Sequence, residues 1–300
     1  MTANLELFSF PESVELARSV GRRLGLAVRP VSIHRFPDGE SLVRLQSLDR
    51  SRAIIFRALD HPNDKIFEVL LAADALRRQG VKKVGLVAPY LGYMRQDRVF
   101  EAGEPISQQV LARLLDSAFD DVLTVEAHLH RIHRLSEIFS ISAESVSASG
   151  PIADWLIQRP DQAVLIGPDE ESKPWIRSIA QRAGRQWFLA SKKRYSDNEV
   201  RIDLPPLPPE TREAWIIDDI ASSGATLETL SRILKQRGLR NIGAIVVHAL
   251  FEQTTSDRLT QAGLDHLVST DSITHPTNEI SLAALLTEQI SNRMPITEAT

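Results

Sequence analysis

Short apolar runs alternate with longer amphipathic stretches along most of the chain. Six runs read as buried strands: 53–56 (AIIF), 84–88 (VGLVA), 122–125 (VLTV), 164–166 (VLI), 215–217 (WII) and 242–247 (IGAIVV). Between them, 104–118 predicts a helix with Pro105 at its first position and Ile106, Val110, Leu114 and Ala118 at four-residue spacing. A second helix follows the fifth run. Leu227, Leu230 and Leu234 form its apolar stripe, Lys235 and Arg237 its last turn, and Gly238 its stop. Ser222 and Ser223 are the candidates for its N-cap. This alternation predicts an α/β fold of βαβ units on a largely parallel sheet. Ligands of such sheets sit beyond the carboxyl ends of the strands.

Three hundred residues suit two domains of roughly 150 each. Small residues replace the periodic pattern at 145–151 (SVSASGP), which places a boundary there and expects domains over 1–146 and 147–300. The run 204–209 (LPPLPP) suits an extended connector, because proline continues neither a helix nor a central strand. Two strand-to-loop segments, VAPYLGYMRQDR and LIGPDEESKP, hint at a duplicated plan. Composition then narrows the options. With no cysteine, disulfides, thiolate metal sites and a cysteine nucleophile are excluded. A net charge of −4 argues against a nucleic-acid-binding face. No apolar run approaches the roughly 18 residues of a membrane span. The N-terminus lacks the charged start and apolar core of a secretion signal, so a cytoplasmic location is expected.

The chemistry concentrates in 214–227, AWIIDDIASSGATL. A buried strand ends in two carboxylates, Asp218 and Asp219, and small hydroxylic residues then lead into a helix. Asp218 and Asp219, on opposite faces of the strand end, can accept hydrogen bonds from vicinal sugar hydroxyls or help hold Mg²⁺. Ala221, Ser222, Ser223, Gly224, Ala225 and Thr226 present backbone N–H groups at a helix N-terminus, which suits a phosphate. A capped turn with two solvated aspartates explains the same residues more plainly. Together, the hydroxyl acceptors and the anion site suit a ribose 5-phosphate. The stretch resembles the phosphoribosyl pyrophosphate (PRPP) loop of the phosphoribosyltransferase fold.

Further segments resemble the ribose-phosphate diphosphokinase family, the PRPP synthetases. Residues 36–40, FPDGE, are similar to the family's FxDGE hairpin, although a tight turn alone accounts for them equally well. Residues 89–98, PYLGYMRQDR, resemble its PYxxYxRQDR segment, and 125–133, VEAHLHRIH, the segment with its magnesium-linked histidine. Residues 167–172, GPDEES, stand at its pyrophosphate loop without the usual glycines. Residues 191–200, SKKRYSDNEV, resemble its flexible catalytic loop, where three consecutive basic residues otherwise read as a solvated patch.

The resemblance implies two similar phosphoribosyltransferase-like domains, each a mainly parallel sheet flanked by helices. A C-terminal helix over 280–290 is placed to return to the first domain. It implies transfer of a diphosphoryl group from Mg-ATP to ribose 5-phosphate for nucleotide biosynthesis. ATP contacts fall to Phe36, Asp38, Glu40, Arg95, Gln96, Asp97 and His128, with the hairpin reaching a neighbouring subunit's adenine; at least a homodimer follows. Ribose 5-phosphate falls to Asp218, Asp219 and the 221–226 loop, metal to His128 and Asp169, and catalysis to Lys192 and Arg194, with Lys193 the alternative lysine. His130 and His133 read as polar loop residues rather than transition-metal ligands. Two rival functions remain at this point: a PRPP-consuming phosphoribosyltransferase and a non-catalytic regulatory homologue.

Overall fold

The computed structural model describes residues 5–47, 51–194 and 200–293; the side chains of 192–201 lie outside that description. Two compact units result. One holds the chain through Val146 together with Ser272–Thr274 and the stretch from Leu282; the other holds Ser147–Asp271 and His275–Ser281.

The first unit contains β1 (Leu5–Ser9), α1 (Val14–Leu24), β2 (Val28–Pro30), β3 (Ser32–Arg35), β4 (Ser41–Arg44), β5 (Arg52–Phe56), α2 (Pro62–Arg78), β6 (Lys83–Ala88), α3 (Ser107–Asp116), β7 (Asp121–Val125) and β8 (Ser142–Val146). The second contains α4 (Ser149–Ile157), β9 (Val164–Gly167), α5 (Lys173–Ala183), β10 (Trp187–Leu189), β11 (Ser191–Arg194), β12 (Val200–Asp203), β13 (Glu213–Ala221), α6 (Ala225–Gln236), β14 (Asn241–Ala249), α7 (Gln253–Gln261), β15 (His266–Thr270) and β16 (Asn278–Ile280). The last helix, α8 (Ala283–Arg293), belongs to the first unit and packs on α1.

Both main sheets are parallel at every pairing, in the orders β2-β1-β5-β6-β7-β8 and β10-β9-β13-β14-β15-β16. Counted within each sheet, these are the same order, 2-1-3-4-5-6. Each unit also inserts an antiparallel two-stranded ribbon between its second and third sheet strands, β3–β4 in one and β11–β12 in the other. The terminal helices are exchanged. α4, which follows the last strand of the first sheet, packs on α5; α8, which follows the last strand of the second, packs on the equivalent α1.

All six expected strands are present, apolar because both faces of these sheets are covered. Ile55, Leu86 and Val122 share one core with Val69, Leu76, Leu111 and Leu115. Ile216, Ala244 and Val246 share the other with Leu227, Leu230 and Leu234. Three expectations change. α3 begins at Ser107, so Pro105 precedes it, and its buried face is Gln108, Leu111, Ala112 and Leu115; Val110 and Leu114 are exposed. Ala118 lies beyond its end. The cap of α6 is Gly224 in the left-handed region (φ 72°), not Ser222 or Ser223. The duplicated plan is real but differently phased. VAPYLGYMRQDR follows the fourth strand of its sheet, and LIGPDEESKP the first of the other. Membrane crossing finds no candidate, since no described helix is long and apolar enough.

Candidate active site

In the second unit, the ends of two adjacent strands, β9 and β13, carry the acidic groups. β13 continues four residues past the expected run, because its pairing with β14 extends through Asp218↔Val246 to Ala221↔Ala249. Asp219 N–H donates to Asp218 Oδ1 at 3.0 Å. Part of Asp218 reaches the surface, yet its carboxyl is enclosed. Burial, then the charges of Asp219 and Asp169, push its pKa well above the ordinary carboxylate value. The fold therefore brings Asp169, Asp218 and Asp219 into one field.

Asp169 Oδ1 accepts from the Ser172 N–H at 3.0 Å, and the Ser172 hydroxyl donates to the Asp169 carbonyl at 2.7 Å. Ser172 is buried; a Cβ on Gly167 would stand 2.5 Å from its Oγ, so that glycine makes the turn possible. Of the two added acids, exposed Glu170 pairs with Lys173 at 3.3 Å.

After β13, Ser222 and Ser223 are exposed at the start of α6. The Ala225 N–H points to Ser223 Oγ at 3.5 Å. α7 braces this loop. A Cβ on Gly224 would meet Thr255 Cγ2 at 2.7 Å, while Arg258 donates to the Ser223 carbonyl and pairs with Glu228 at 2.8 Å. Arg258 had no local signal in the sequence, because its partners lie 30 and 35 residues away in the chain. Lys192, Lys193 and Arg194 lie on β11, but their side chains fall outside the described residues.

In the first unit, the loops after β6 and β7 meet. Exposed Arg95 is followed by Gln96, whose side-chain oxygen accepts from the Ser107 hydroxyl, and by Asp97, 3.5 Å from Arg131 Nε. Arg131 belongs to the histidine segment, so that pair joins the two loops. His128 Nδ1 lies 3.3 Å from His130 Nε2, their rings 3.8 Å apart. Glu126, ahead of them, takes the left-handed conformation (φ 39°), a strained setting of the kind found at functional loops. Among the described residues, no three His, Asp or Glu side chains stand ready to enclose a metal.

Phe36, Asp38 and Glu40 occupy the β3–β4 turn. Phe36 N–H donates to the Glu40 carbonyl at 2.8 Å, and Glu40 N–H to Asp38 Oδ1 at 3.1 Å. Phe36 is exposed, edge-on to His34 at 4.8 Å. The ribbon is tied to α2 through Arg35, 2.7 Å from Asp64. Tyr93 reaches the same helix by donating to Asn63.

A parallel sheet that ends one strand in paired carboxylates and leads through small residues into a helix is a phosphoribosyltransferase-type unit. The comparisons agree. The family model described as the N-terminal domain of ribose phosphate pyrophosphokinase matches residues 5–118, and the phosphoribosyl transferase domain matches 142–279. A ribose-phosphate pyrophosphokinase of Methanopyrus kandleri is 32% identical over 284 residues, covering 94% of this chain and 97% of the relative. That of Pyrococcus furiosus is 32% identical over 254 residues, covering 84% and 89%. The phosphoribosylpyrophosphate synthetase of Mycobacterium smegmatis shares the fold, with a TM-score of 0.82 over 96% of this chain and 97% of its own, at 23% identity. The chain belongs to the ribose-phosphate pyrophosphokinase family, a family of transferases.

Proposed function

We propose that the protein transfers the diphosphoryl group of Mg-ATP to the anomeric hydroxyl of ribose 5-phosphate, forming PRPP and AMP for nucleotide biosynthesis. The observation that carries this reading is the Asp218–Asp219 pair leading into the helix-terminal 221–226 loop, in a chain of this family. The anomeric oxygen attacks the β-phosphorus and loses its proton; the bond from that phosphorus to the α–β bridging oxygen breaks, and AMP leaves. Positioning and charge neutralisation dominate such reactions.

Asp218 and Asp219 accept the ribose hydroxyls, and the Ala221, Ser222, Ser223, Gly224, Ala225 and Thr226 backbone receives the 5-phosphate at the positive end of α6. Arg95, Gln96, Asp97 and His128 hold ATP from one subunit, and Phe36, Asp38 and Glu40 reach it from a neighbour. Lys192 and Arg194, or Lys193 in place of the first, meet the charge that develops on the transferring group.

Magnesium fits the donors. It prefers oxygen, keeps several waters and takes one or two carboxylates beside substrate phosphates, so no preformed cage is needed. The raised Asp218 carboxyl marks a field that a divalent cation relieves. Asp169 is the candidate ligand of the second unit, and His128, a softer nitrogen donor, that of the first. When bound, the ion neutralises the polyphosphate. At least a homodimer follows from the 36–40 turn reaching a neighbouring subunit's ATP.

Phosphorus NMR of the protein with Mg-ATP and ribose 5-phosphate tests the reading. AMP and a new sugar diphosphate are expected. ADP would mean single-phosphoryl transfer, and no turnover with both ligands bound would favour the regulatory homologue. Turnover only with PRPP and a nucleobase would favour the phosphoribosyltransferase.

A further inference from the structure

Arg35 and Ser41 form the last rung of the β3–β4 ladder and so flank the turn 36–40 on both sides. Both reach one atom. Glu68 Oε1 on α2 accepts from the Ser41 hydroxyl at 2.6 Å and from Arg35 Nη2 at 3.3 Å. Its second oxygen, Oε2, lies 2.6 Å from Arg57 Nη2. Glu68 and Arg57 are 1% and 2% exposed. Arg57 is fixed in turn: its Nε meets Glu12 at 2.7 Å, its guanidinium lies 3.9 Å over the Phe10 ring, and it donates to the Lys65 carbonyl at 3.3 Å.

We propose that Glu68 is a positioning residue for the nucleotide-contacting turn, holding the mouth of the ribbon shut through Arg35 and Ser41 while buried Arg57 holds Glu68. The proposal rests on the reading of 36–40 as an ATP contact. A two-stranded ribbon is only marginally ordered on its own. Charge-assisted hydrogen bonds to a buried carboxylate tie it to α2. A purely structural buried pair would need only Arg57 and Glu68. The bonds to Oε1 come instead from the two residues that bracket the turn.

The test is steady-state kinetics of the full chain. Ser41→Ala removes one tether from a half-buried residue and leaves the buried pair intact. One such hydrogen bond corresponds to roughly three- to tenfold. KM for ATP is expected to rise by that factor, with kcat and KM for ribose 5-phosphate nearly unchanged, and Ser41→Thr is expected to restore it. Glu68→Gln should show the same split more strongly; should it fail to fold, the serine pair still decides. Phe36→Ala runs in parallel to test the reading beneath. If it leaves KM for ATP unchanged, the turn does not contact nucleotide and both ideas fall. If it raises KM while Ser41→Ala does not, or if Ser41→Ala weakens both substrates alike, the positioning role alone is overturned.

Discussion

The two sheets share strand order, an inserted ribbon and an exchanged terminal helix, yet the residues just past the apolar run of the third strand differ between them. In the second unit that place holds Asp218 and Asp219, with Asp169 nearby; burial first, then these like charges, raise the Asp218 pKa above the ordinary carboxylate value. In the first unit it holds Arg57, neutralised by Glu12 and Glu68 and roofed by a tight turn through His61 (φ 46°) into α2. One position gathers like charges around a raised carboxyl, and the other pairs a buried cation with two carboxylates. The first arrangement is of the kind that marks functional sites, and the second serves as internal support.

The strongest way to break this contrast is to open the closed loop. Arg57→Met strands Glu68 in the interior and is expected to destabilise the protein by about 3–5 kcal/mol in denaturant titration, whereas Arg57→Met with Glu68→Leu recovers most of it. A loss below about 1 kcal/mol in the single variant would remove the supporting role. Next in size, Lys192→Ala and Arg194→Ala are each expected to lower turnover about 10²–10³-fold, with calorimetric binding of ribose 5-phosphate nearly intact. Lost binding would show the roles to be misassigned.

A smaller effect separates the loops by space rather than charge. Gly224→Ala combines φ 72° with a Cβ 2.7 Å from Thr255, so strain of about 1–3 kcal/mol should appear chiefly as weaker ribose 5-phosphate binding. Gly25→Ala has a similar φ of 67° but open space around it, and should lower stability slightly without touching either KM. Equal KM changes would mean that the α6 cap does not shape the phosphate loop. The smallest effect is a slope. Asp218 has a raised folded pKa, so the folded state binds its proton more tightly than the unfolded chain does. Stability of the metal-free protein should therefore fall as pH rises from the ordinary carboxylate value through the raised one. Asp218→Asn should flatten that segment of the titration, and an unchanged slope would place the repulsion elsewhere.

How far local pattern reaches is visible in α3 and β13. Four-residue spacing picked Val110 and Leu114 for the buried stripe of α3, but the face against the sheet is Gln108, Leu111 and Leu115. Gln108 is buried at 2% exposure, with its amide donating to the Asp97 carbonyl. A polar residue that finds a tertiary partner breaks the periodic signal. All five residues of β1 are buried, but LELFS carries no uniform apolar run because it includes Glu6, which Ser47 satisfies by donating to its carboxylate. The candidate site was more legible. The carboxylate pair, the small-residue loop and the RQD cluster are contiguous, and their chemistry is written within a few residues each.

The sequence alone determined which strand ends are the candidates for chemistry, since ligands of parallel sheets meet loops, and loops are local. Its length and the break at 145–151 point to two units, whereas the return of Ser272–Thr274 and the stretch from Leu282 to the first unit has no signal in its local pattern. Tertiary structure decided what is joined across the chain: Glu68 beneath the 36–40 turn, Arg258 behind the phosphate loop, α8 returned to α1, and Asp169 brought beside Asp218. Those pairings lie tens to hundreds of residues apart. They depend on the order in which strands enter the sheet, and hydrophobic period records only which face of each element is buried, never which neighbour covers it.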